Sequence, residues 1–166
     1  NIYGDEFMNV RHLTRLSLLT AVSLILFVIE MRIPDIITVP GVKLGLANII
    51  TVYCVYNFSS GETALMVLAR IILGALFSSN IFSLVYSSAG AFFCLCGMLI
   101  ICRIIPEKYI WLCSMIGAVL HNTGQIVTAI LVTKTISVIA YYPFLIVSGC
   151  IAGFFTGITA QFILKR

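Results

Sequence analysis

Long apolar stretches separated by short polar segments dominate the pattern of this sequence. Each stretch is apolar on all sides and approaches or exceeds the roughly 20 residues that cross a bilayer as a helix. A membrane-spanning strand would alternate apolar and polar residues, so the pattern predicts helices and argues against a barrel. The six predicted helices cover residues 13–29, 44–58, 63–77, 81–102, 109–133 and 143–164.

The composition supports a membrane protein. Hydrophobic residues make up 61% of the 166 residues, charged residues make up 10%, and the mean hydropathy is +1.13. Soluble domains are about half apolar and about a quarter charged, so a soluble domain, a disordered chain and a secreted disulfide scaffold are excluded. We expect residues 8–166 to form a single transmembrane domain of a prokaryotic cell membrane. Residues 1–7 are polar, and we interpret them as a non-native remnant before a natural start at Met8.

The basic residues predict the orientation of the six helices. Placing both termini in the cytoplasm leaves three basic residues at the outer ends, namely Arg32, Lys43 and Lys134. The cytoplasmic ends then hold twice as many, as the positive-inside rule requires. The basic residues form no run with interleaved aromatic residues, so we expect no binding of nucleic acid. The six cytoplasmic residues are Arg11, Arg15, Arg103, Lys108, Lys165 and Arg166.

The connection between the first two predicted helices, residues 32–43, is rich in helix breakers. It contains Pro34, Asp35, Pro40 and Gly41, which rule out a helix through this segment. Apolar residues between them indicate that the segment folds back onto the bundle. Two interpretations remain open: a plain connector, or a lid over a pocket that opens outward.

Arg70 lies in the middle of the third predicted helix. A charge at mid-membrane costs at least about 2.5–3.5 kcal/mol on insertion scales, so it needs a partner or a wet cavity. One interpretation is a structural tie to backbone carbonyls or to a carboxylate such as Glu30. The other, which we favour, is a cationic anchor for an anionic group of a ligand.

The fifth predicted helix carries three polar side chains within about one turn. His121 and Gln125 are four residues apart and share a face, and Asn122 flanks them. Such side chains are costly in lipid, so they face the bundle interior. They act either as polar ties between helices, worth about 0.6 kcal/mol per bond in one membrane system, or as the wall of a substrate pocket, which we favour.

The polar residues of three helices fall at similar depths. Lys43 and Asn48 lie at the outer end of the second helix, and Arg70 lies near the middle of the third. With the orientation given above, the polar group of the fifth helix lies in the middle to outer half. We therefore predict that all of these residues line one pocket.

Small residues recur at helical spacing on two helices. Gly149, Gly153 and Gly157 form a stripe on the sixth helix, which favours close helix packing. Ser17 and Ala21 form a shorter small-residue pair near the cytoplasmic end of the first helix. That pair serves either packing within the chain or docking of a partner.

Motifs for catalysis and metal binding are missing from the sequence. It contains no paired aspartate motif for prenyl diphosphates, no Walker loop and no H-E-x-x-H sequence. Cys94 and Cys96 lie about 200° apart on a helix, which is poor geometry for a shared metal. We therefore expect a protein that is not an enzyme, with no catalytic residues, no metal and no cofactor.

Two segments resemble a known family, with support from the sequence around Arg70. They are I-P-x(5)-P-G-V-K-L-G-L-A-N-I at residues 33–49 and G-A-V-L-H-N-T-G-Q-I at residues 117–126. Together they resemble the Gx transporter family, which is often labelled heptaprenyl diphosphate synthase component I. That family is similar to the substrate-binding S components of energy-coupling factor (ECF) transporters.

This resemblance implies a six-helix bundle with both termini in the cytoplasm and an outward-facing pocket under the loop after the first helix. It also implies docking to a transmembrane coupling subunit through the small-residue pair on the first helix, where Ser17 stands in place of a usual alanine.

The residues predict a membrane-embedded solute-binding subunit for uptake, and the resemblance implies that it is an S component for a small vitamin, cofactor precursor or similar solute. Its partners would be the solute, the lipid bilayer, an ECF coupling subunit and ATPases. The alternative is a non-transport membrane subunit associated with polyprenyl diphosphate synthesis or with a redox partner. In that case the polar residues would be structural ties.

Overall fold

The computed structural model describes residues 10–33, 44–77 and 81–165, and for residues 81–84 it describes the backbone alone. Within these ranges the chain forms six α-helices, which confirms the helical prediction. The predicted remnant at residues 1–7 and the start at Met8 lie outside the described residues. The helices are α1 (Val10–Arg32), α2 (Leu46–Asn57), α3 (Ser60–Phe77), α4 (Ile81–Ile101), α5 (Ile110–Thr133) and α6 (Tyr142–Leu164).

Local sequence signals explain where several helices begin. The Ser59 and Glu62 side chains bond each other's backbone N–H groups at 3.3 and 2.9 Å, a capping box at the start of α3. Pro143 lies in the first turn of α6, where its missing N–H costs no helical bond. Two short 3-10 helices, Glu107–Tyr109 and Ile136–Tyr141, precede α5 and α6. They follow no strong periodic pattern and were not predicted from the sequence.

The six helices pack as two groups that meet. α5 contacts α4 and α6 extensively, whereas α1 contacts α2 and α3, and α2 also packs on α6. The Gly149, Gly153 and Gly157 stripe faces α5: a Cβ at Gly153 would lie 2.6 Å from Met115 Cα. Small residues here allow the two helix backbones to approach closely.

The outer surface of the bundle is apolar and its interior is partly polar. Exposed leucine, isoleucine, valine and phenylalanine side chains occur on α1 and on α3 to α6, while Arg70 and Asn122 are buried. Three helical stretches are long and apolar enough to cross a membrane: Val10–Arg32, Glu107–Thr133 and Ile136–Leu164. This distribution is that of a membrane-associated protein.

Candidate functional site

A cavity of about 90 Å³ lies in the bundle, and all six helices contribute to its wall. This volume accommodates several water molecules or a small organic group. Glycine and alanine residues of α2, α4, α5 and α6 keep the space open because they fill little of it. Polar residues of the wall include Asn48, Thr51, Ser87, His121 and Asn122, together with two charged residues, Glu30 and Arg70.

Arg70 is held in place from two neighbouring helices. Its Nη1 donates hydrogen bonds to Ser23 Oγ of α1 at 3.3 Å and to Ala47 O and Thr51 Oγ1 of α2 at 3.1 and 3.2 Å. The side chain is 8% exposed, and it still forms part of the cavity wall. The structural tie to a backbone carbonyl therefore exists, and it coexists with a position at which Arg70 can contact a ligand.

Glu30, a candidate partner of Arg70, makes its hydrogen bonds to the start of α2. Its two carboxylate oxygens accept bonds from the backbone N–H groups of Gly45, at 2.5 Å, and Leu46, at 3.1 Å. These groups open α2, where backbone N–H groups have no partner within the helix and the helix dipole favours a negative charge. Gly45 has a φ of +71°, which suits glycine at this tight entry. Glu30 thus joins the end of α1 to the start of α2.

Four of the predicted pocket residues come together at this cavity: Asn48 of α2, Arg70 of α3, and His121 and Asn122 of α5. Asn48 Oδ1 accepts a weak bond from the thiol of Cys94 on α4, with 3.8 Å between sulfur and oxygen. The structure therefore brings these residues of three helices to the wall of one cavity.

Asn122 also ties two helices together. Its Nδ2 donates to the backbone carbonyl of Leu145 on α6 at 2.6 Å. A wall residue of the cavity is therefore at the same time a polar tie between α5 and α6, so the two interpretations given for this residue are compatible.

Gln125 lies outside this cavity, although the sequence pattern placed it there. Its side chain packs against α4, where a Cβ added at Gly90 would lie 2.9 Å from Gln125 Cγ. Its Oε1 is buried and has no hydrogen-bond partner among the described residues. Gln125 lies outside the cavity because α4 approaches α5 closely at Gly90 and fills the space one turn beyond His121.

Other predicted residues lie on the helix surface or beyond the described ranges. Ser17 and Ala21 are exposed on the same face of α1, where they take no part in the interior. Lys43 and the proposed lid residues Pro34, Asp35, Pro40 and Gly41 lie outside the described residues.

The sequence matches one protein family over most of its length. A model of the family described as heptaprenyl diphosphate synthase component I matches residues 19–163, which include all six helices in whole or in part. The chain belongs to the heptaprenyl diphosphate synthase component I family. Neither the curated proteins nor the solved structures contain a match.

The site of this family member includes residues that were not predicted from the sequence. Ser23 and Thr51 bind Arg70, and Thr156 lines the cavity. A serine or threonine in a helix can bond its own backbone, so its presence in an apolar stretch is a weak signal. The spacing of Asn48 and Thr51, three residues apart on one face of α2, is the signal that would have found Thr51.

The part of the chain that the structure describes holds no cluster of metal ligands. In residues 10–33, 44–77 and 81–165, no three histidine, cysteine, aspartate or glutamate side chains lie close enough together to hold a metal ion. The polar groups of the cavity suit hydrogen bonding and charge pairing with a solute.

Proposed function

We propose that this protein is the substrate-binding S component of an ECF-type uptake transporter for a small vitamin, cofactor precursor or similar solute. In this proposal all six helices cross a prokaryotic cell membrane, with both termini in the cytoplasm. The observation that carries it is the cavity where Asn48, Arg70, His121 and Asn122 of three helices meet.

The combination of buried polar groups and open space supports a solute-binding role. Burying polar groups within a membrane bundle costs free energy. A protein that used them only to tie helices together would be more stable with the space around them filled. Here small side chains such as Ala91, Ala118 and Ala152 leave a cavity beside a buried guanidinium. A pocket with a few placed polar groups is the usual form of a small-molecule site.

The surface of α1 supports a partner in the membrane. Ser17 and Ala21 lie four residues apart and are exposed, so the close approach that small residues permit is available to another protein. The sequence has no nucleotide-binding motif, so in this proposal partner ATPases supply the energy through a coupling subunit. We propose that the chain itself catalyses no reaction.

A binding titration tests this function. Purified protein in lipid nanodiscs is titrated calorimetrically with a panel of vitamins and cofactor precursors, alongside Arg70→Ala and Asn48→Leu variants. We expect one solute to bind to the wild type and at least tenfold more weakly to both variants. Arg103→Ala, which changes an exposed arginine after α4, is the control and keeps full affinity.

Two results of this titration would count against the proposal. Equal binding by the wild type and Arg70→Ala would remove the role of Arg70. Failure of the whole panel, together with a wider set of small solutes, would remove the solute-binding function. Thermal unfolding of each variant shows whether a lost affinity reflects a lost fold, and Asn48→Leu leaves the bonds of Arg70 in place.

The family description favours a second candidate, a membrane subunit that assists polyprenyl diphosphate synthesis. A membrane subunit that associates with a redox partner is the other non-transport alternative. Affinity purification from a native membrane separates these alternatives from transport. Transport is supported if a coupling subunit and ATPases are recovered with the wild type. Their recovery should be lost with Ala21→Trp and kept with the control Ile151→Trp, which changes an exposed residue of α6. Recovery of a soluble prenyl synthase supports the second candidate.

A further inference from the structure

The cavity wall carries two opposite charges that are fixed independently. The described wall residues include one carboxylate, that of Glu30, and one guanidinium, that of Arg70, while the imidazole of His121 lies on α5. Each has its own partners: the Glu30 carboxylate binds the first N–H groups of α2, and Arg70 Nη1 binds Ser23, Ala47 and Thr51. The fold therefore holds a negative and a positive group apart on one wall.

The separation of the two charges follows from their anchors on α2. Glu30 binds Gly45 N and Leu46 N, and Arg70 binds the carbonyl oxygen of Ala47, the next residue. Because a helix rises 1.5 Å per residue, the two charged groups lie within roughly 10 Å of each other. Two charge-assisted hydrogen bonds of about 2.8 Å each, subtracted from this upper limit, leave at most about 4 Å, which a small molecule with an ammonium and a carboxylate can span.

The two charges also differ in depth. Arg70 is 8% exposed, whereas Glu30 is only partly buried, near the end of α1. A solute that pairs with both groups would therefore have its anionic end at the more deeply buried one.

Net charge decides which solute such a wall accepts. Transfer of a lone ion from water into a low-dielectric interior costs several kcal/mol unless it is paired. A simple anion would pair with Arg70 but meet repulsion from Glu30, which attracts Arg70 electrostatically. A molecule with both charges would pair at both ends.

We propose that the cavity selects a small zwitterionic solute, with its anionic group at Arg70 and its cationic group at Glu30, and that Glu30 determines this selectivity. This inference rests on the proposed solute-binding function and narrows the solute class predicted from the sequence, where Arg70 alone suggested an anionic group.

The test compares matched probes at neutral pH. Each α- or β-amino acid of a panel is titrated into nanodisc-embedded wild type beside the same molecule without its amino group and the same molecule without its carboxylate. We expect at least one amino acid to bind at least tenfold more tightly than both of its truncated forms.

Variants then assign the selectivity to Glu30. In Glu30→Gln we expect the tenfold preference over the carboxylic acid to fall below about threefold, because the repulsion of the acid is removed. Glu62→Gln is the matched control: it changes a glutamate outside the cavity wall, at the start of α3, and keeps the preference. Glu30→Asp keeps the charge and retains the preference even where Glu30→Gln fails to fold.

Some outcomes would overturn the inference. A carboxylic acid that binds the wild type as tightly as its amino acid would do so and leave the solute-binding function intact. An unchanged preference in folded Glu30→Gln would remove the role of Glu30. Failure of all amino acids to bind would also overturn it, and the vitamin panel described above then decides separately whether solute binding itself stands.

Discussion

The two halves of the bundle are held together by different kinds of contact. In the half formed by α4, α5 and α6, glycines bring helix backbones together: a Cβ at Gly157 would lie 2.5 Å from Trp111 Cα, and one at Gly124 would lie 3.0 Å from Ala89 O. In the half formed by α1, α2 and α3, directional bonds from Arg70 and Glu30 join the helices. The cavity lies between these halves.

This difference shows how a membrane protein can keep a space open. Where glycines bring helix backbones into contact, no free space remains for the helices to shift, so close packing fixes one wall of the cavity. The opposite wall is fixed by hydrogen bonds that also place charged groups beside the space. Each half should therefore respond to a different kind of substitution.

The largest effect is expected from added volume at the glycine contact. Gly153→Ala places a Cβ 2.6 Å from Met115 Cα, a backbone atom that cannot move away without shifting a helix. We expect a loss of about 3 kcal/mol of unfolding free energy or more. SDS titration of the detergent-solubilised protein, followed by circular dichroism, measures it.

Gly61 supplies the matched control for this substitution. It lies in α3, and a Cβ there would meet no atom within 4 Å. Gly61→Ala should raise stability by up to about 1 kcal/mol because alanine favours a helix. Equal effects of the two substitutions would contradict the assignment of the close contact to Gly153.

A smaller effect on stability is expected from the hydrogen bonds of Arg70, in the half formed by α1, α2 and α3. A double-mutant cycle of Arg70→Met and Thr51→Val isolates the bond of 3.2 Å between these side chains. We expect a coupling free energy of about 1–3 kcal/mol, since the donor is charged and buried. The same SDS titration measures the unfolding free energy of each protein in the cycle. A coupling free energy indistinguishable from zero would show that this bond does not stabilise the fold.

The smallest effect is expected from a polar contact inside the glycine half. Ser114 Oγ and Thr156 Oγ1 lie 3.0 Å apart between α5 and α6. Thr156→Val should cost about 0.6 kcal/mol, the average for such bonds in one membrane protein. A cost above that of Thr51→Val would reverse the comparison, because the glycine half would then depend on its hydrogen bonds.

The helices were predictable because their signal is long and simple. An apolar stretch bounded by charges or helix breakers locates a helix to within about three residues: residues 44–58 against Leu46–Asn57, and residues 143–164 against Tyr142–Leu164. The glycine stripe of α6 was also visible, since its spacing of four residues repeats twice. The partner helix of that stripe depends on tertiary packing, which no local pattern records.

The site was predictable only in part. Asn48, Arg70, His121 and Asn122 could be found because a polar residue in an apolar helix must face the interior. Gln125 satisfies the same rule by facing α4, so burial alone does not distinguish a cavity from a helix contact. Of the hydroxyl partners of Arg70, Thr51 has a signal in its spacing from Asn48, whereas Ser23 lies in an apolar stretch of α1 and gives none.

The bridge from Glu30 to Gly45 and Leu46 has a consequence for how the molecule can evolve. Since this bridge fixes where α1 ends relative to where α2 begins, one carboxylate sets the register of two helices. A change at this single position therefore affects both helices at once. Evolution could replace the carboxylate only by another group that accepts hydrogen bonds from the same two backbone N–H groups.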